Sequence, residues 1–191
     1  LWARSTVFQN VISEINGETG KANVNPEALF HEEGQQREIC PSTGGGKNWW
    51  AGAYSPLSNA MYYGVQNTCM DLTVTTSEAD SEELYGFFAR DKLAEGRTNV
   101  GTIFAISAET GETLWQYEAA GTVMSMVATG GGLVFGGDIE GNFRAFDQMS
   151  GEVLWEVNLG SSITGYPITF GVNGKQYISV GTGTSVTTAG Q

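Results

Sequence analysis

Apolar and polar residues alternate in short stretches punctuated by glycine, a pattern that predicts strands. Phe143-Arg144-Ala145-Phe146 alternates as one strand, and Glu152-Val153-Leu154-Trp155-Glu156-Val157 returns as a second. Between them lies Asp147-Gln148-Met149-Ser150-Gly151. An aspartate can cap such a turn, and a glycine takes positive φ at no steric cost. Ala60 to Val65, Leu133 to Gly136 and Gln176 to Val180 are further strand candidates, and Tyr166 to Phe170 leads into an Asn173-Gly174 hairpin. One stretch has helical character, Ser81 to Ala94, inside an acidic segment from Ser77 to Asn99. It reads as a surface insertion between repeats, its Glu78, Asp80, Glu82 and Glu83 forming a solvated face.

The strand-turn-strand unit occurs twice. Ala105, Gly111, Glu112, Leu114 and Trp115 recur as Ala145, Gly151, Glu152, Leu154 and Trp155 at a spacing of 40, and Gly101 pairs with Gly141. A period near 40 with glycine turns and a closing tryptophan predicts an all-β chain built as a β-propeller or a related array. An indole is too large to leave in water, and Trp115 and Trp155 are predicted to pack between neighbouring sheets as blade-docking residues. A shorter copy of the turn, Ile15-Asn16-Gly17-Glu18-Thr19-Gly20-Lys21, lacks the Leu-Trp ending and predicts a hairpin turn only.

Composition narrows the function classes. Nine Lys and Arg stand against 21 Asp and Glu among 191 residues, a net charge of −12 that repels nucleic acid and anionic lipid. The 27 glycines are about twice the usual share and suit many tight turns. No apolar run approaches the roughly 20 residues of a membrane helix. The chain begins with Leu1 and shows no signal peptide, which marks a processed chain or a piece of a longer one.

Candidate chemistry concentrates between two cysteines, Cys40 and Cys69. No further cysteine or histidine cluster accompanies them, which argues against zinc. Buried free thiols and a disulfide both fit their spacing, and a disulfide would point to an oxidising compartment such as the periplasm. The intervening Gly44-Gly45-Gly46-Lys47-Asn48 is not a phosphate loop, because Pro41 and Asn48 stand where that loop needs Gly and Ser or Thr. The segment reads either as a glycine turn beside two core tryptophans, Trp49 and Trp50, or as backbone approaching a flat ligand to which Asn48 offers its amide. His31 is the sole histidine and lacks catalytic neighbours. Asp138, Glu140 and Asp147 read as turn formers.

Four segments in this order, Ile39-Cys40-Pro41-Ser42, Gly46-Lys47-Asn48-Trp49, Ala53-Tyr54-Ser55-Pro56 and Asn67-Thr68-Cys69-Met70-Asp71, resemble the pyrroloquinoline quinone (PQQ) dependent alcohol dehydrogenases typified by methanol dehydrogenase. So do the tryptophan repeats and the ending Gly165 to Phe170 with Gly174-Lys175-Gln176-Tyr177. The resemblance runs from about Gly20 to Gly183. It implies an eight-bladed propeller with PQQ and Ca²⁺ or a lanthanide near its axis, and a Cys40–Cys69 disulfide. It implies that Asn48 hydrogen-bonds the quinone, with Lys47 and Trp49 close by. Met124 stands where methanol dehydrogenases carry a tryptophan near the quinone, a departure from strict methanol specificity.

In that family the catalytic Asp and its Arg, the metal-binding Glu and Asn and a vicinal disulfide precede the matched region; Arg4 does not match the family Arg in its surroundings. At about 40 residues per blade, 191 residues make an arc of the ring. The expected organisation is a cofactor-proximal segment (1–72), an acidic insertion (73–99) and C-terminal blades (100–191). The implied function is oxidation of a small alcohol to an aldehyde, with electrons passed to a cytochrome c in the periplasm. No Cys-x-x-Cys-His haem motif is present. A non-enzymatic propeller scaffold of the cell envelope, or a fragment without catalysis, are the alternatives.

Overall fold

The computed structural model describes residues 2–75 and 86–183. Among them, in chain order, run the strands β1 (Ile12–Ile15), β2 (Ala22–Val24), β3 (Gln36–Ile39), β4 (Ala53–Ser55), β5 (Ala60–Gln66), β6 (Thr68–Thr75), β7 (Gly86–Leu93), β8 (Gly101–Ser107), β9 (Thr113–Ala119), β10 (Val123–Ala128), β11 (Leu133–Asp138), β12 (Asn142–Asp147), β13 (Val153–Asn158), β14 (Ile168–Val172) and β15 (Lys175–Ser179). One 3₁₀ turn, Pro26–Ala28, is capped by the Asn25 side chain. No described helix is long and apolar enough to cross a membrane.

The chain divides into two compact units. The first comprises residues 1–4, 47–66 and 99–191 and contains two four-stranded antiparallel sheets, β4-β5-β8-β9 and β10-β11-β12-β13, with the hairpin β14-β15. β8 and β12 are almost wholly buried, whereas β13 is mostly exposed. This is why the middle of β8, Ile103 to Ile106, is apolar at every position. Tyr62, Ile103, Trp115, Val123, Val134 and Phe146 form the core of this unit.

The repeat has a definite geometry. The Asp147 N–H donates to the Glu152 carbonyl and the Gly151 N–H to the Asp147 carbonyl, and Ser107, Glu112 and Gly111 repeat both bonds. The Asp147 carboxylate caps the turn, accepting from the Met149 and Ser150 N–H groups at 2.9 and 2.8 Å. These bonds to the charged form hold its pKa below the usual carboxylate value. Trp115, 8 % exposed, leaves one sheet and donates from Nε1 to the Gln148 carbonyl in the next, 3.0 Å away, its ring lying against Gly151. Trp2 treats the preceding turn alike, donating to the Ala108 carbonyl at 3.1 Å against Gly111. Trp155 differs: it is 47 % exposed, with its ring edge-on to Phe143 of its own sheet.

Asp138 is more than a turn former. Only 1 % exposed, it pairs with Arg144 at 2.6 Å and accepts from the N–H groups of Glu140 and Asn142. Arg144 also bonds Glu156 and lies over the Tyr117 ring, so the charge is hydrogen-bonded on several sides.

The second unit comprises residues 5–46 and 67–98, with the hairpin β1-β2 and the sheet β3-β6-β7. The β1-β2 turn reproduces the repeat's bonding: Asn16 N–H to the Lys21 carbonyl, Gly20 N–H to the Asn16 carbonyl, and the Asn16 side chain accepting from Glu18 and Thr19. Two expectations need correction. Residues 86–93 of the helix-like stretch are strand β7, paired with β6 from Thr68↔Leu93 to Thr75↔Gly86; this ladder overrides the helical propensity of Ala89, Lys92 and Leu93. Residues 81–85 of that stretch lie outside the described residues. The insertion also enters between β5 and β8, the second and third strands of one sheet, and not between repeats.

Candidate functional site

Cys40 directly follows β3 and Cys69 lies in β6, and the register of these strands places Ile39 opposite Met70. The cysteines are bonded to each other, with Cα atoms 4.3 Å apart, and are buried with Ala94. Asn10 fixes the bridge from outside: its side chain accepts from the Cys40 N–H and its own N–H donates to the Cys40 carbonyl. After Pro41 the chain turns tightly. The Ser42 N–H donates to the Thr68 carbonyl, and a Cβ on Gly45 would fall 2.7–2.9 Å from Pro41, the Thr68 carbonyl and the Ser42 nitrogen. Only glycine fits there.

Within the first unit, Lys47 to Gly52 lead into β4. Ala51 donates to Ser125 Oγ at 3.2 Å, and Met126 donates to the Ala51 carbonyl at 3.0 Å. The segment is thereby fastened along the start of β10, the strand that carries Met124. Asn48 and Met124, 76 positions apart, thus belong to two stretches joined by hydrogen bonds three residues beyond Asn48, at Ala51, and one and two residues beyond Met124, at the Ser125 side chain and the Met126 backbone. The Met124 side chain lies outside those described. Asn48 is exposed, and its Oδ1 accepts from the Trp49 N–H at 2.9 Å. Trp49 is 70 % exposed, which corrects its reading as a core residue. Lys47 folds back on its own segment, donating to the Asn48 carbonyl at 2.8 Å and to the Trp50 carbonyl, with its ammonium 5.7 Å from the centre of the Tyr63 ring. Burial lowers its pKa from the usual lysine value.

Chemically the segment offers an exposed amide and an exposed flat indole, a donor set that suits one edge of a planar, carbonyl-bearing ring. Among the described residues no three His, Cys, Asp or Glu side chains are grouped to hold an ion. His31 is exposed, and its backbone N–H donates to Gln35. Arg4 is used structurally, donating to the Gly111 carbonyl and to Thr113. Sequence reasoning missed Tyr63 and Ser125. The apolar, β-branched-flanked run Val123 to Val127 was the available signal for the strand bearing Ser125; nothing local marks Tyr63 as the surface beneath Lys47.

Residues 119–178 match the glucose/ethanol/alcohol dehydrogenase β-propeller domain family, designated PQQ. Over 186 residues the chain is 33 % identical to a lanthanide-dependent methanol dehydrogenase of Methylacidiphilum fumariolicum, covering 95 % of this chain and 30 % of that protein. It is 28 % identical to methanol dehydrogenase [cytochrome c] subunit 1 of Paracoccus denitrificans, over 90 % of this chain and 28 % of the relative. The structure of a europium-containing methanol dehydrogenase superposes with a TM-score of 0.83 at 31 % identity, covering 92 % of this chain and 31 % of that one. The chain therefore spans about 30 % of the length of the relatives it matches.

Proposed function

We propose that this chain, which resembles part of the PQQ-dependent alcohol dehydrogenases, is a C-terminal arc of such an enzyme and supplies one wall of its quinone site. The observation that carries this reading is the Lys47–Gly52 segment, fastened to the start of β10 with the Asn48 amide and the Trp49 indole left exposed. When bound, PQQ supplies the two-electron acceptor that alcohol oxidation requires and that no side chain provides. Asn48 would hold it by donating from its amide to a ring oxygen, an interaction that strengthens as negative charge grows there. Trp49 offers an apolar face that excludes water from that edge. Met124, on the neighbouring strand, takes the position where methanol dehydrogenases carry a tryptophan, and a substrate range wider than methanol follows.

The base that takes the alcohol proton, and the ligands for Ca²⁺ or a lanthanide, belong to parts of the enzyme other than the described residues. Electrons leave to a cytochrome c, for which a net charge of −12 suits a basic partner. The Cys40–Cys69 bridge supports a periplasmic location.

The test is a titration of the intact protein with PQQ, with Ca²⁺ or a lanthanide present, followed by tryptophan fluorescence and by dye reduction with primary alcohols. Saturable binding and alcohol-dependent reduction are expected. Asn48→Ala should weaken binding by about ten-fold, the worth of one ordinary hydrogen bond. No binding with either metal overturns the proposal and favours a propeller scaffold; unchanged binding in Asn48→Ala removes that residue from the site.

A further inference from the structure

Lys47 stands beside Asn48 in the most chemically distinctive segment of the chain, and its neighbours describe a role other than ligand binding. Its ammonium donates to the carbonyls of Asn48 and Trp50. Those two carbonyls lie on either side of Trp49, so a single cation fixes the backbone before and after the exposed indole. Beneath it the Tyr63 ring, carried on β5 opposite Phe104, provides an electron-rich face 5.7 Å away. The same ring receives the far end of the segment: a Cβ on Gly52 would lie 2.3 Å from two Tyr63 carbons, so the backbone there lies directly on the ring. Among the described residues no carboxylate pairs with Lys47; its partners are the two carbonyls and the ring.

We infer that Lys47 is a positioning residue: its ammonium staples the carbonyls of Asn48 and Trp50 over Tyr63 and so fixes the attitude of the Asn48 amide and the Trp49 indole. What the staple is for rests on the quinone reading above; that it exists does not. A lysine suits the task because its flexible stem lets a compact charge with three donors turn back on the chain that bears it. An exposed segment without such an internal tie would pay the ordering entropy of several residues whenever a ligand docked.

The experiment is hydrogen exchange on the intact protein without PQQ, read at the amides of Trp49 and Ala51, in Lys47→Met, Lys47→Arg and Tyr63→Leu. The methionine keeps the stem and removes the charge. Exchange about ten-fold faster is expected in Lys47→Met and in Tyr63→Leu, with Lys47→Arg within about three-fold of wild type because its fork still reaches two carbonyls. PQQ affinity is then titrated in each variant and should fall in step with the loss of protection. Unchanged exchange in Lys47→Met with weakened PQQ binding overturns the inference and makes Lys47 a direct ligand. Unchanged exchange and unchanged binding overturn it also. Faster exchange in a protein whose wild type binds no PQQ supports the staple and refutes the quinone reading instead. If Lys47→Met does not fold, Tyr63→Leu decides the same question, since it removes the surface beneath the ammonium.

Discussion

Gly151→Ala asks two things of one methyl group, and the chain contains its own control. The backbone at Gly151 has φ of 75°, and that at Gly20 has φ of 71° in a turn with the same hydrogen bonds. Alanine at either position therefore pays a similar conformational penalty, about 1–2 kcal/mol. The surroundings differ. At Gly20 a Cβ meets nothing within 4 Å, whereas at Gly151 it would fall 2.6–2.9 Å from three carbons of the Trp115 indole. That ring cannot retreat easily: it is hydrogen-bonded to the Gln148 carbonyl and lies 5.7 Å from Tyr62 and 6.1 Å from Phe146. Overpacking of this kind costs a further 1–3 kcal/mol or so. Gly151→Ala should thus exceed Gly20→Ala by that amount, or about 5- to 150-fold in local opening. Hydrogen exchange at the Asp147 and Gln148 amides reads the first variant, and exchange at Asn16 and Gly20 reads the second. In a Trp115→Leu background the excess should vanish, because the obstructing ring is gone. Equal costs for Gly151→Ala and Gly20→Ala would refute the claim that the indole fills the space over the repeat turn.

Two further outcomes are expected. Changing Cys40 and Cys69 together to Ser opens a loop of 29 positions and should destabilise the second unit by about 3–4 kcal/mol on the chain-entropy estimate; denaturant unfolding with and without reductant measures it, and a variant as stable as the oxidised wild type would contradict it. The Asp147 pKa is lowered in the folded chain, so the cap stabilises the turn fully at neutral pH and that contribution fades as pH falls through the folded value. Asp147→Asn keeps the accepting oxygen, as Asn16 does in its own turn, and the protection of the Ser150 amide relative to its intrinsic exchange rate should become insensitive to acid; persisting acid sensitivity of that protection would place its origin elsewhere.

The C-terminal half was legible because its elements are local. Asp147, Gly151 and Trp155 mark a turn and return strand within nine positions, and Asn173 and Gly174 both adopt the positive φ expected of an Asn-Gly hairpin. The first half was harder for a physical reason. Trp2 and Gly111 repeat the relation of Trp115 and Gly151, yet stand 109 positions apart instead of 36. Of those 109 positions, 74 (5–46 and 67–98) belong to the second unit, and the remaining 35 restore the period. A fixed-spacing comparison is blind to a repeat split by another fold. β7 was misread for a related reason: six of its eight residues are exposed, Arg90 and Asp91 among them, so it shows no buried face of period two, and only its ladder with β6 shows it to be a strand. The site was half legible. Asn48 could be singled out from its setting, but the dependence of that setting on Tyr63, Ser125 and a back-folded Lys47 arises from contacts that spacing does not encode.

The β6-β7 hairpin has a kinetic consequence. β5 must pair with β8 across 34 intervening residues, a costly search for an open chain. The Ala94 N–H, however, donates to the Asn67 carbonyl, closing the base of the excursion immediately beyond β5. Once β6 and β7 have zipped together, the effective loop shrinks from 34 residues to about 8, which removes about 1 kcal/mol of closure entropy from the later step. If β6 and β7 pair first, the excursion would act as a folding splint, turning a distant pairing into a near one.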